Sequence, residues 1–165
     1  MSHSPLVLAA GVILALSLPA HAEAARDGSS ADARIKAQLS ALEYDYEVDE
    51  DNDFKLVFAV DETDRSQIVY VRSPVETYGS HAVREIWSPG YASPDGDFPA
   101  RIANRLLEAS GDAKLGGWVK QGRNAVFVVK IAADAGKEEL DDAIDSAVTL
   151  ADQMEAELTP GKDDL

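Results

Sequence analysis

The sequence predicts an α+β domain in which an antiparallel sheet of about six strands carries helices packed on one face. The spacing of apolar residues supports this prediction, because it changes from about 3.6 to 2 after residue 42 and returns to helical spacing near residues 98 and 134. The resulting order is helix, four strands, helix, two strands, helix. Amphipathic helices need an apolar surface to cover, and one sheet supplies it within a single domain.

The chain is predicted to open with a short helix and a hairpin. Ser30 or Asp32 can cap the helix. The residues that share its apolar face are Ile35, Leu39 and Leu42. Apolar and polar residues then alternate through 44–48 and 54–60, which predicts two antiparallel strands joined by the acidic turn 49–53.

The next two strands are predicted at 66–72 and 82–88, and they complete a meander with the first pair. The β-branched character of 66–72 favours a strand. Residues 88–97 contain two prolines and two glycines, and this composition predicts a loop.

A second helix is predicted to open at 97–99, because Pro99 stands in the first turn, where a missing N–H costs nothing. Its inward-facing residues are predicted to be Ile102, Leu106 and Leu107. Gly111 is predicted to close it.

The last part of the chain is predicted to form a hairpin and a long helix. The hairpin comprises the strands 115–120 and 125–131 around the turn 121–124. The long helix covers 134–158, and an acidic tail follows at 159–165. The apolar stripe of the helix is formed by Leu140, Ile144, Ala147, Ala151, Met154 and Leu158.

The N-terminal residues indicate export. The apolar run from Leu6 to Leu16, Pro19 and the A-x-A pattern ending at Ala22 are typical of a secretory signal peptide over 1–22. The run is shorter than the roughly 20 residues that a membrane-spanning helix needs. We therefore expect cleavage after Ala22, no stable membrane anchor afterwards, and a periplasmic or secreted protein with a flexible lead-in at 23–30.

Composition excludes several classes of function. The net charge of −15 repels phosphate backbones and anionic lipids, so we expect neither nucleic acid nor a membrane surface as partner. Cysteine is absent, and His81 is the one histidine that follows the predicted signal peptide. Zinc sites built from Cys and His are thereby excluded, and no motif for a nucleotide or another cofactor is present.

Neither of the two motifs that carry chemistry completes a site. Asp49, Asp51 and Asp53 match three positions of an EF-hand loop, but Phe54 and Val60 occupy the positions of its Gly and bidentate Glu. We therefore expect an acidic turn without metal. Ser80 and His81 are neighbours along an extended chain, so their side chains point in opposite directions and do not form a catalytic pair.

Three aromatic residues are the candidate binding site. Trp87, Tyr91 and Trp118 could line an apolar groove for a partner. The alternative is that these rings, which end strands beside a proline-rich loop, close the hydrophobic core.

Several local runs, in this order, resemble the bacterial YbjN family. They are the turn 49–54, the helix run 102–106, the strand opening 117–119 and the helix end 154–158. The resemblance covers about residues 32–158, within a predicted domain at 31–158. It implies a type III secretion chaperone-like fold and a non-enzymatic protein, often a homodimer, that acts in sensory regulation or binds polypeptides.

The predicted function is therefore a non-enzymatic periplasmic or secreted binding protein that holds a polypeptide partner. The long apolar stripe of the last helix also predicts a two-fold homodimer, because surplus apolar surface is commonly covered by a second copy. Two alternatives stay open. One is a hydrolase that uses carboxylates such as Glu85 and Asp97, and the other is a scaffold or stress protein without a small ligand.

Overall fold

A computed structural model describes residues 30–60, 65–161 and 163 of the 165-residue chain. Its elements are α1 (Ala33–Ala41), β1 (Glu47–Val48), β2 (Phe54–Val60), β3 (Arg65–Tyr78), β4 (His81–Ala92), α2 (Ala100–Asp112), β5 (Gly117–Gln121), β6 (Asn124–Ala132) and α3 (Lys137–Leu158). The predicted signal peptide, most of the lead-in and part of the acidic tail lie outside the described residues. In the part that is described, no helix is long and apolar enough to cross a membrane.

The strands form one antiparallel sheet in the order β1-β2-β3-β4-β6-β5. The predicted α+β class, the sheet of about six strands and the meander of the first four strands are therefore confirmed. The second hairpin inserts β6 beside β4 and leaves β5 at the edge. Gly122, whose φ of 58° favours glycine, lies in the tight turn between β5 and β6.

The hydrophobic core lies between one face of the sheet and the helices. Ile35 and Leu39 of α1 pack with Ile144 of α3 against strand residues such as Phe54 and Phe127. A second cluster joins α2 and the end of α3 to β5 and β6. Its buried members are Tyr91, Ile102, Leu106, Ala125 and Met154. The three helices therefore cover the same face, as predicted.

The predicted loop 88–97 is wrong over its first part, because β4 continues to Ala92. Pro89 has no N–H group to donate a hydrogen bond to β6. The pairing of β4 with β6 shifts its register immediately after it, between Pro89 and Tyr91. Such an irregularity accommodates the missing hydrogen bond within a strand. The third strand is likewise longer than predicted, since β3 runs to Tyr78.

The first strand is shorter than predicted, because only Glu47 and Val48 pair with β2. Tyr44 and Tyr46 instead pack edge-on against Phe58 and Phe54, with ring centroids 5.3 and 5.2 Å apart. These contacts hold the chain beside the sheet without a ladder of hydrogen bonds.

Leu107 does not face inward as predicted, because its side chain is 67% exposed on α2. Ile102 and Leu106 alone provide the buried face of that helix. Gly111 does not close α2 either, since the helix runs to Asp112. The last helix begins at Lys137, three residues later than predicted, with Gly136 at its N-cap.

The stripe of α3 that suggested surplus apolar surface is buried within the chain's own core. Leu140, Ala147 and Ala151 are fully buried, and Ile144 and Met154 are nearly so. Leu158, the last residue of the stripe, is partly buried against the second core cluster. The reason for expecting a dimer through this helix was therefore wrong, because α3 lies along the sheet and covers β3, β4 and β6.

Candidate functional site

The structure separates the three aromatic residues of the predicted groove. Tyr91 and Trp118 belong to the second core cluster, on the side of the helices. Trp87 follows the core residue Ile86 in β4, so it lies on the opposite face of the sheet. The three rings do not line one groove.

Trp87 lies near the middle of a sheet surface that we call the open sheet face. No helix packs on this surface in the part of the chain that the structure describes. Its residues are Lys55, Val57, Ile68, Tyr70, Arg72, Glu85, Trp87, Pro89, Val119, Val126, Val128 and Lys130.

Cross-strand pairing arranges these residues in rows. Tyr70, Trp87 and Val128 are successive partners across β3, β4 and β6. Val57 pairs with Ile68 in the neighbouring row. Directly opposed side chains on one face of an antiparallel pair contact each other, so the rows form a packed surface in which Trp87 and Tyr70 are partly exposed and Val128 is only 4% exposed.

Polar neighbours hold the indole ring of Trp87 in place. Its Nε1–H donates a hydrogen bond of 2.8 Å to Glu85 Oε2, and the Arg72 guanidinium lies 4.3 Å from the ring centroid. Glu85 also forms an ion pair of 2.9 Å with Lys130. The ring is half-buried and its orientation is fixed before any partner arrives.

Arg72 is itself positioned by a buried carboxylate. Its Nε lies 3.0 Å from Asp53 Oδ2, and Asp53 Oδ1 accepts a hydrogen bond of 2.7 Å from the Ser73 backbone. Burial raises the pKa of the Asp53 carboxyl, although the Ser73 N–H and Arg72 oppose the shift. Asp53 therefore positions the Arg72 side chain and the Ser73 backbone from within the domain.

Charge is distributed unevenly between the two layers of the domain. The helix α3 carries one lysine and eight acidic residues. The open sheet face carries the bases Lys55, Arg72 and Lys130 against Glu85, and Glu47 on β1 stands opposite Lys55. The strongly acidic character of the chain therefore belongs mainly to α3 and to the segment 43–53, which contains seven acidic residues and no base, whereas the open sheet face is close to neutral.

The carboxylates of the alternative hydrolase do not meet in a common cleft. Glu85 pairs across the sheet with Lys130, whereas Asp97 lies 3.8 Å from Lys120, whose partner on β6 is Ala125. Lys130 and Ala125 are five residues apart on β6, and five residues along a strand span about 17 Å. Paired carboxylates of glycoside hydrolases are about 5 to 10 Å apart.

The acidic turn is stabilised by its own backbone. Asp49 Oδ1 accepts hydrogen bonds of 2.9 Å from the N–H groups of Asp51 and Asp53. Asn52 adopts a positive φ of 65°, which asparagine tolerates in tight turns. Among the described residues, no group of His, Cys, Asp or Glu side chains could hold a metal ion.

His81 begins β4 at the tip of the hairpin that joins it to β3, where it is exposed. Its strand partner is Tyr78. Ser80 occupies the adjoining turn.

Sequence reasoning missed the neighbours of Trp87 that complete the surface. Ile68, Tyr70 and Arg72 alternate with the buried Val69 and Val71. That period of two was visible in the sequence, but the pairing of β3 with β4 was needed to place these residues beside Trp87.

No protein-family model matches the chain, and no curated protein matches it. The resemblance to the YbjN family therefore stays a prediction from local runs.

Proposed function

We propose that this chain is a non-enzymatic polypeptide-binding protein of the periplasm or extracellular space, and that the open sheet face is its binding surface. The observation that carries the proposal is the Trp87 ring, which Glu85 and Arg72 hold in one orientation on an apolar surface that no described helix covers. Aromatic residues with fixed orientation are the usual anchors of protein interfaces, because little side-chain entropy is lost when they bind.

The surface has the form expected for a polypeptide ligand. It is a sheet face without a covering helix among the described residues, and it has exposed aliphatic residues at both sides, Val57 at 59% and Val119 at 40% exposure. Exposed contiguous apolar surface marks interaction sites on soluble proteins.

The proposed partner is an apolar segment of a different polypeptide. The near-neutral open sheet face does not repel such a segment, whereas two copies of a chain with a charge of −15 repel each other. A chaperone-like role, which the YbjN resemblance implies, is one form of this function. A second copy of the chain is the competing occupant, and the experiment below distinguishes it.

Binding can be tested with a chemically unfolded, thiol-blocked polypeptide as probe. In Trp118→Phe, Trp87 is the only tryptophan, and its fluorescence should change saturably as the probe is added. Val57→Lys in the same background should weaken binding at least fivefold, because it places a charge in the apolar surface. Leu107→Lys is the matched control, since Leu107 is equally apolar and exposed but lies on α2, in the helix layer.

Three outcomes would contradict the proposal. Trp87 fluorescence could be unaffected by the probe, or Leu107→Lys could weaken binding as much as Val57→Lys. Sedimentation equilibrium could also reveal a dimer that Val57→Lys dissociates, and the occupant of the open sheet face would then be a second copy.

The proposed location has a separate test. Cleavage after Ala22 would leave Glu23 as the first residue of the native protein, and mass spectrometry should find this N-terminus. A native chain that starts at Met1 or Ser2 would contradict export.

A further inference from the structure

A pocket of about 280 Å³ lies between α2 and α3, on the opposite side of the sheet from Trp87. Trp118 and the nearly buried Met154 form its apolar side, and the fully buried Phe127 lies behind them. Arg105 and Asp112 from α2 and Glu157 from α3 line its mouth. Small-ligand sites are concave and join apolar side chains with a few charged or polar groups, and this pocket combines both kinds of lining.

The pocket is formed before any ligand binds. Arg105 and Glu157 connect the two helices through two hydrogen bonds of 2.7 Å each. The Trp118 ring packs edge-on against Phe127 at 5.4 Å, and its backbone N–H donates to Ser110 Oγ on α2. These contacts fix both the width and the apolar side of the pocket.

Close packing against Gly90 of β4 also fixes the Trp118 ring on the side that faces the sheet. A Cβ at Gly90 would lie 2.5 Å from Trp118 Cη2 and 2.9 Å from the carbonyl oxygen of Ala151. The indole therefore lies directly against the backbone of β4, and only a glycine leaves room for it there.

The mouth of the pocket has an excess of negative charge. The hydrogen bond with Glu157 raises the pKa of Arg105, and the charges of Glu108 and Asp112 contribute in the same direction. Glu157 neutralises Arg105, which leaves Asp112 as an exposed carboxylate at the mouth. A cationic group would be attracted there and an anionic group repelled.

The volume limits the size of the ligand. Pockets for drug-sized molecules measure about 300–1,000 Å³, and 280 Å³ lies just below this range. It would hold roughly nine water molecules, or an apolar body of similar size. A nucleotide or an extended cofactor is too large.

We propose that this pocket binds a small organic cation, an amine or guanidino compound with an aromatic or branched alkyl body. The apolar body lies on Trp118 and Met154, and the positive group lies beside Asp112. This site is independent of the open sheet face and does not depend on the function proposed for that face.

The two methionines of the chain, Met1 and Met154, give a direct measurement on the unmodified protein. With ¹³C-methyl methionine, the Met154 signal should shift saturably on addition of 2-phenylethylammonium. The matched anion 3-phenylpropanoate should bind at least tenfold more weakly. In Trp87→Phe, the fluorescence of Trp118, then the only tryptophan, should report the same affinity.

Two variants test the roles of volume and charge. Ala109→Leu adds a larger side chain to the lining of the pocket and should abolish binding, whereas Ala100→Leu, at the start of α2 and outside the lining, should leave it unchanged. Asp112→Asn should weaken binding of the ammonium about three- to fivefold, the range of an exposed ion pair. Circular dichroism of each variant checks that it is folded.

The proposal would be overturned by an absence of saturable binding, by equal affinity for the ammonium and the carboxylate, or by unchanged binding in Ala109→Leu. Val57→Lys should not affect binding here, so failure of this site and failure of the open sheet face are distinguishable.

Discussion

The carboxylate of Asp32 and the guanidinium of Arg84 meet at 2.5 Å and connect the start of α1 to the middle of the sheet. Arg84 is almost fully buried, and its Nη1 also donates to the carbonyl oxygens of Arg72 and Ser73 at 2.6 and 2.9 Å. Those carbonyls lie where the register between β3 and β4 shifts. The Arg84 side chain therefore donates hydrogen bonds to two carbonyl groups at the irregular part of the β3–β4 pairing and also binds Asp32, the residue that caps α1.

Arg84→Met should lower the free energy of unfolding by about 2–3 kcal/mol. Losing one partner of a fully buried ion pair costs about 3–5 kcal/mol, and the 25% exposure of the Asp32 side chain reduces this loss. Urea denaturation measures the effect. Arg101→Met, at an exposed position of α2, is the matched control and should change stability by less than about 0.5 kcal/mol. Equal denaturation midpoints for the two variants would contradict the structural role of Arg84.

Asp32 and Asp53 should affect acid stability in opposite directions. Burial would by itself raise the pKa of Asp32, but the N–H groups of Ile35 and Arg34 and the charge of Arg84 lower it below its ordinary value. The stability that Asp32 contributes is therefore present above about pH 4 and is lost as the pH falls through its lower folded-state pKa. Asp32→Asn should make the loss of stability below pH 4 shallower.

For Asp53 the sign is reversed, because burial raises its pKa in the folded state. Protonation in acid relieves the cost of the buried charge, so Asp53 opposes acid unfolding. Asp53→Asn should make the loss of stability steeper as the pH falls through the raised folded-state pKa of Asp53. Urea denaturation between pH 3 and 6 measures both variants, and parallel pH profiles for the two would contradict the assignment.

Two glycine substitutions should have opposite effects. Gly90→Ala should destabilise the protein by about 1–3 kcal/mol, because the new Cβ would clash with Trp118 and the Ala151 carbonyl. Gly111→Ala, near the end of α2 with nothing within 4 Å, should stabilise it by up to about 1 kcal/mol. Thermal melts of both variants test the pair. A stable Gly90→Ala protein would show that Trp118 does not lie against β4.

Adjacent leucines of α2 should differ in their importance. Leu106→Ala removes a buried side chain of the second core cluster and should cost about 2–4 kcal/mol. Leu107→Ala removes an exposed side chain and should cost less than about 0.5 kcal/mol. Equal losses in urea denaturation would favour the inward placement of Leu107 that periodicity predicted.

The candidate surfaces could be predicted only in part. Trp87, Tyr91 and Trp118 were recognisable as aromatic residues at the ends of predicted strands, but their faces depend on pairing between distant strands. The pairing of Trp87 with Tyr70 and Val128 builds the open sheet face. The pocket depends on contacts of Arg105 with Glu157, which are 52 residues apart in the chain.

The sequence by itself determined the fold class, the number and type of the elements, most of the apolar faces of α1 and α3, and the acidity of the chain, although Leu42 follows the end of α1 at Ala41 and is not part of the core cluster. Period and turn composition are local properties, and they suffice for these features. Only the tertiary structure decided that β6 lies beside β4, that Pro89 stays within a strand and that the apolar stripe of α3 is buried against its own sheet. Each of these results depends on which distant surfaces pack together, because burial and cross-strand pairing outweigh local preference.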